Sequence, residues 1–348
     1  MSDMPLMPPI PGLSPEAEKQ LSDVNANQGQ LAGLAGAPPP APRWFTEVTQ
    51  LRPESRFVSV EGARIHYLNW GDPSKPGLLL VHGNAAHAHW WSFIAPFLAR
   101  DHHVVAMDLS GMGDSDWRVP QGGASAYSME LFAAEELAVL EDAGLFAHSK
   151  PPVIAAHSFG GFVTMKAAAT FGKRLSGVVI MDSPVNPPSR AGNPAAHKPH
   201  PHKVYPSLAA ALARFRLMPP QICENLYLLD WVARHSLKEV AGVNGEPGFT
   251  WKFDPAIWRH FAIGDTSALL KSTRCRVAVF RGEHSALVPP QVGADVFNLL
   301  DRAAPVVEIP EAQHHIMLDQ PLALVSSLRT LLADWEHSVA IDRPGTSA

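Results

Sequence analysis

The stretch Val153-Ile154-Ala155-Ala156-His157-Ser158-Phe159-Gly160-Gly161 governs how the rest of the sequence is read. It opens with apolar residues in an unbroken run, the pattern of a strand buried on both faces. Small residues, Ala156 and Gly160, then stand two places to either side of one serine, and an apolar helical pattern follows over residues 159–170. The arrangement is G-x-S-x-G with Ala156 in place of the first glycine. A serine on a sharp strand-to-helix turn needs minimal neighbours, and alanine meets that need. Such a turn exposes the hydroxyl of Ser158 and sets the Phe159 N–H at a helix N-terminus, where developing negative charge is favoured. The plainer alternative is a small-residue turn that lets a helix lie close to a strand. Strand, turn and helix in one run favour a nucleophile.

Working outward, similar apolar runs lie at residues 78–81, 104–107, 178–181, 277–280 and 306–309. Helical patterns fall between them at 91–99, 128–143 and 322–335. Alternating strands and helices predict an α/β fold, a doubly wound and mostly parallel sheet. Residues 57–60 and 65–68 alternate apolar and polar around Glu61-Gly62, which predicts a hairpin. Between residues 181 and 277 no comparable strand occurs, and a structureless loop of that length does not suit a compact domain. Residues 185–270 are therefore read as an inserted helical cap, with helices at 208–217, 226–232 and 251–261, and 51–184 with 271–340 as the core. Residues 1–50 are rich in proline and alanine. They read as a flexible extension with a short helix over 15–24 behind Ser14, in preference to an arm docked on the body or on a second copy.

In an open parallel sheet, chemistry gathers at the carboxyl ends of the strands. The run at 78–81 ends in His82-Gly83-Asn84-Ala85. The N–H of Asn84 can join that of Phe159 as an oxyanion hole, while His82 reads as a tie within its loop. The last run leads into Pro310-Glu311-Ala312-Gln313-His314-His315, which supplies a general base from the histidine pair. A carboxylate must orient that histidine. Asp182, directly after the strand next to the turn, is the first choice and Glu283 the second. Trp90, His157, Phe253 and Trp258 are the substrate-binding candidates. For Trp90 and Trp91, lining an acyl pocket and packing the first helix stay open. The cap's Leu217, Leu226, Leu229, Trp231, Phe253 and Trp258 fit an apolar pocket or equally the cap's own small core.

These motifs together resemble the α/β-hydrolase superfamily over about residues 55–337, in its serine-nucleophile, carboxylesterase-like branch. Besides the serine turn and His82-Gly83, the resemblance rests on Asp108-Leu109-Ser110-Gly111-Met112-Gly113-Asp114-Ser115 and on residues 310–314 with Asp319-Gln320-Pro321. It implies His314 as the base, with Gln313 replacing the usual glycine, and structural roles for Asp108 and Asp114. The family's usual acid position falls on Ser285. A subgroup, including some haloalkane dehalogenases, takes its acid from the end of the preceding core strand, and that position is Asp182. Dehalogenases resemble this chain at His82-Gly83-Asn84, yet their nucleophile is an aspartate before tryptophan, where Ser158-Phe159 stands here. A serine cannot form the ester intermediate those enzymes and epoxide hydrolases need.

The expected activity is therefore hydrolysis of a small, largely apolar carboxylic ester or lactone through an acyl-enzyme. C–C hydrolysis, a cofactor-free perhydrolase and a non-catalytic binding protein on the same fold are the alternatives. Neither cofactor nor metal is expected. His197, His200 and His202 stand among prolines and read as a solvated loop, and Cys223 and Cys275 lack the spacing of a zinc site. A net charge of −5 offers no basic face to nucleic acid or anionic membrane. Neither a secretory signal nor a transmembrane run is evident, so a cytoplasmic location is expected. The partner foreseen is a small-molecule ester or lactone, with a homodimer kept open as an alternative to a monomer.

Overall fold

The structure, a computed structural model, describes residues 29–119, 126–185, 201–242, 245–259 and 261–338. Eight strands form one sheet in the order β1-β2-β4-β3-β5-β6-β9-β10. They are β1 (Glu54–Val60), β2 (Ala63–Trp70), β3 (Gly77–Val81), β4 (His103–Met107), β5 (Val153–His157), β6 (Gly177–Met181), β9 (Arg276–Gly282) and β10 (Val306–Ile309). Strands β1 and β2 pair antiparallel, β2 joins β4 antiparallel, and every later neighbour is parallel. Every residue of β3, β4, β5 and β6 is buried, as unbroken apolar runs require when helices cover both faces. By contrast, β1 is an edge strand with an exposed burial pattern, which is why its sequence alternates.

The helices are α1 (Arg43–Thr49), α2 (Ala95–Leu98), α3 (Met129–Asp142), α4 (Phe159–Phe171), α5 (Leu208–Leu212), α6 (Leu226–His235), α7 (Thr266–Lys271), α8 (Pro290–Leu299), α9 (Ile316–Asp319) and α10 (Pro321–His337). Ser128 caps α3 by accepting from the Leu131 N–H at 3.1 Å. Among the described residues no helix is long and apolar enough to cross a membrane.

Three expectations need correction. The segment inserted before β9 is not purely helical: β7 (Leu237–Ala241) and β8 (Pro247–Trp251) form a separate antiparallel pair outside the main sheet. The helix expected at 251–261 is absent, because Trp251 ends β8 and Asp254 Oδ1 then accepts the Ala256 N–H at 2.8 Å, closing a turn around Pro255. Thirdly, residues 29–50 are not a loose tether. Leu31, Phe45 and Val48 are buried, and the Phe45 ring meets those of Phe93, Tyr227 and Trp231. An apolar face recurring within a proline-rich stretch has found the body to cover it. The helix foreseen at 15–24 lies outside the described residues.

Behind the sheet, α3 and α4 meet across a buried carboxyl. Glu136 Oε1 accepts from Thr164 Oγ1 at 2.7 Å, and Oε2 has no partner among the described residues. Burial, reinforced by the neighbouring Glu135, pushes Glu136 up to about 8. The unfolded chain releases this proton near 4.5 and the folded chain near 8, so stability falls as pH rises between them and the loss is complete above the folded value. Glu136→Gln, which keeps the acceptor and removes the charge, is expected to leave stability almost unchanged at acid pH. At pH above 8 it should raise stability by a few kcal/mol. Urea unfolding of both proteins across pH checks this, and a mutational effect that is flat with pH contradicts it.

Candidate active site

Strand β5 runs into Ser158, whose φ of 53° and ψ of −119° lie where only over-determined residues sit. Such a conformation costs about 1–3 kcal/mol and persists because its surroundings leave no alternative. The Ser158 N–H donates to the Met181 carbonyl at 2.9 Å, and Ser183 Oγ donates to the Ser158 carbonyl at 2.7 Å. A Cβ on Gly160 would lie 2.4 Å from the His82 carbonyl oxygen, and one on Gly161 2.0 Å from Ser183 Oγ. These two glycines let α4 press against β3 and β6, so the strain at Ser158 is held by packing on both sides.

Opposite the serine, the loop after β10 presents His314. Its Nε2 lies 3.0 Å from Ser158 Oγ and its Nδ1 lies 2.7 Å from Asp182 Oδ1. A carboxylate can only accept, so Nδ1 carries the proton and Nε2 turns its lone pair to the serine hydroxyl. Asp182 is fully buried at the end of β6, with φ 49°. Its carboxylate also accepts from the Gly282 N–H at 2.9 Å and from Ser285 Oγ at 2.5 Å. Ser285 in turn accepts the N–H groups of Leu287 and Val288 at 3.2 and 3.0 Å. The residue at the family's usual acid position thus donates to the acid that stands next to it. Glu283 is elsewhere: its side chain is half exposed and its Oε2 accepts the Glu311 N–H at 2.9 Å, bracing a turn.

The remaining candidates divide. Gly83 packs on the serine turn, since a Cβ there would lie 3.2 Å from Ser158 Cβ, and Asn84 follows it in the chain. Among the described residues neither the Asn84 nor the Phe159 N–H donates to a protein acceptor. Asn84 Oδ1 and Trp90 Nε1 are likewise buried without a partner there, and the Trp90 ring lies 5.3 Å from that of His315. Trp258 meets Phe159 at 5.2 Å, and Phe261 meets both rings, forming an aromatic wall next to the elbow.

Two substrate-binding candidates are placed otherwise. His157 is 2% exposed, buried against the His314 loop. Its Nε2–H donates to the His314 carbonyl at 2.9 Å, and burial, then the neighbouring His314, holds it neutral, well below the usual imidazole range. Its ring lies 4.7 Å from that of His314 and 5.8 Å from that of His315. Phe253 packs edge-on against His202 at 4.4 Å, and His202 donates to its carbonyl, so the two pack on each other within the segment inserted before β9. His197 and His200 lie outside the described residues.

His82 is a tie. Nδ1 donates to the Gly83 carbonyl at 2.6 Å, Nε2 accepts the Leu109 N–H at 3.1 Å, and burial holds the ring neutral. Asp108 accepts from His66 Nδ1 at 2.7 Å and from the Ala88 and Asp114 N–H groups, welding the neighbouring loops. Sequence reasoning missed Gln221 and Asn225, which reach from the inserted segment to the His314 loop. Gln221 lies between Asp319 and the His315 N–H, and Asn225 donates to the Leu318 and Asp319 carbonyls. Their signal was faint, two amides in a segment of unknown pairing.

A mostly parallel sheet with a strained serine at its centre defines the α/β-hydrolase class. The sequence pattern described as "Alpha/beta hydrolase family" matches residues 78–328, and the chain belongs to that family. An esterase of Mycobacterium tuberculosis is 24% identical over 285 residues, 78% of this chain and 88% of that protein. Epoxide hydrolase A of the same organism is 29% identical over 136 residues, 39% of this chain. The match spans only 40% of epoxide hydrolase A and 33% of epoxide hydrolase 4 of Mus musculus. Among solved structures, the thioesterase domain from the curacin biosynthetic pathway aligns with a TM-score of 0.66 at 22% identity, covering 80% of this chain and 99% of that one. The esterase structure aligns at 0.59 and 23%, covering 92% and 99%. Both likenesses concern the fold.

Ser285→Ala removes a donor from the buried Asp182 and the acceptor of two N–H groups. It is expected to destabilise the protein by about 2 kcal/mol in urea unfolding. A change below about 0.5 kcal/mol, the range of ordinary surface substitutions, contradicts the role given to this hydroxyl.

Proposed function

We propose that the protein is a serine hydrolase that cleaves carboxylic esters or lactones through an acyl-enzyme. The observation that carries this is the row Ser158 Oγ, His314 Nε2, His314 Nδ1, Asp182 Oδ1, with links of 3.0 and 2.7 Å. Ser158 attacks the carbonyl carbon as His314 takes its proton, and the Asn84 and Phe159 N–H groups receive the charge on the oxygen. His314 then protonates the leaving alkoxide. It next takes a proton from water, which attacks the acyl carbon, and returns a proton to Ser158. Asp182 fixes the tautomer and stabilises the imidazolium throughout.

Chemistry also argues against the activities named for the epoxide hydrolase relatives. A serine oxygen that opened an epoxide would leave an ether, which water does not cleave. The aromatic wall of Phe159, Trp258 and Phe261 supports a largely apolar acyl or alkyl group. Orphaned Asn84 Oδ1 and Trp90 Nε1 offer one place for a polar substituent. C–C hydrolysis and perhydrolysis can start from the same serine, but no residue favours them specifically.

A fluorophosphonate probe should label the wild-type protein and not Ser158→Ala; equal labelling of both sinks the reading. Asp182→Asn should lower kcat by something of the order of 10⁴, the loss known when a serine triad's acid becomes an amide, with Glu283→Gln mild by comparison. A crippled Glu283→Gln beside a near-silent Asp182→Asn reverses the assignment. Turnover of an activated ester should survive prolonged chelation; loss that zinc restores would point to a metal in place of the triad.

A further inference from the structure

The main chain on both sides of the base is held by one side-chain pair. Asp319 Oδ2 accepts the N–H of Gln313, the residue before His314, at 2.7 Å. Gln221 Oε1 accepts the N–H of His315, the residue after it, at 3.0 Å. The pair is itself joined, because Gln221 Nε2 donates to the Asp319 carboxylate at 2.9 and 3.0 Å. Gln221 is 7% exposed and belongs to the inserted segment, whereas Asp319 ends α9 of the core. A shift of the insertion by one hydrogen-bond length therefore removes the clamp on one side of His314 and loosens it on the other.

The insertion is in turn held by the N-terminal segment. Gln30 grips the main chain of Cys223 from both sides, its Oε1 accepting the N–H and its Nε2 donating to the carbonyl, each at 3.0 Å. Nearby, the Gly29 N–H donates to the Ala213 carbonyl at 3.2 Å, and Arg234 donates to the Gly36 carbonyl at 2.7 Å. A Cβ on Gly36 would lie 2.9 Å from Ala209 Cβ, so this segment lies close against α5. Cys223 stands between Gln221 and Asn225, the two residues that bond the loop carrying the base.

Resting on the hydrolase reading above, we propose that Gln221 is a positioning residue for His314 and that residues 29–36 act through it. Seating of the cap and alignment of the base then form one event. The segment that composition marks as a tether serves as the latch that keeps the base within reach of Ser158. Gln221 touches no reacting atom in this scheme. It lowers the freedom of the main chain from which the imidazole hangs, which acts on kcat and not on the capture of substrate.

The test uses the full chain and two readouts. Amide hydrogen exchange of residues 311–319, followed by mass spectrometry, reads the Gln313 and His315 N–H groups without any turnover. Ester kinetics with a short and a long acyl chain supply kcat and KM. Gln221→Leu should quicken exchange there and lower kcat by about tenfold for both esters, with KM nearly unchanged. Gln30 is exposed, so Gln30→Leu keeps the fold and should move both readouts in the same direction by a smaller factor. Unchanged exchange in Gln221→Leu, or an effect confined to KM, overturns the positioning role. Wild-type exchange and kcat in Gln30→Leu overturn the latch. If Ser158→Ala still turns over the esters, the hydrolase reading fails by itself, and the exchange result still decides the clamp.

Discussion

A carboxylate with no access to water has to be fully provided with donors, and Asp182 sets that demand at the centre of this molecule. Its donors come from separate parts of the chain: the Gly282 N–H from the end of β9, the Ser285 hydroxyl from the turn beyond it, and His314 from the loop after β10. Meeting the demand draws those strand ends together. Because β6 pairs with both β5 and β9, the carboxylate also stands next to the serine turn. At position 285 a hydroxyl serves the same carboxylate as a neutral donor.

The strain at Ser158 and the placement of His314 are secured by unlike means. The serine is held from below by close packing, with Gly160 and Gly161 allowing α4 to press on β3 and β6. The histidine hangs from a loop, and loops need tethers. His157 holds its carbonyl, Asp319 and Gln221 hold the N–H groups on either side, and Asp182 holds the ring. Burial pushes Asp319 up to about 6 even with these donors, so its charge at neutral pH is sustained by its hydrogen bonds with Gln313 and Gln221. One half of the site is therefore built from the core alone and the other depends partly on the insertion.

The sequence makes this division visible as well. Buried parallel strands write themselves as unbroken apolar runs, so β3, β4, β5, β6, β9 and β10 were legible within a few residues, β1 and β2 were legible from their alternation, and the strand ends named Ser158, Asp182 and His314, which hydrogen bonds join in the structure. What failed was short-range inference where tertiary contacts decide. His157 was named as a substrate-binding residue, while the structure buries it with its Nε2–H on the His314 carbonyl. Phe253 was named for substrate with packing in the inserted segment as the open alternative, and its ring lies against His202. Residues 29–50 looked loose because small residues and prolines fill much of them, yet Leu31, Phe45 and Val48 sit in the body. Gln221 and Gln30 carry no periodicity at all, since an amide pairing across more than ninety residues leaves no local trace.

The claim that unites these observations is covalent: during turnover the acyl group of the substrate is carried on Ser158. Quenching the reaction with a slowly deacylating activated ester and measuring the mass of the intact protein tests it most directly. The protein should gain the mass of the acyl group, located by fragmentation on the peptide holding Ser158, and fresh ester-free buffer should release it with time. Turnover without any added mass, or an acyl group found on another residue and competent to turn over, would contradict the account.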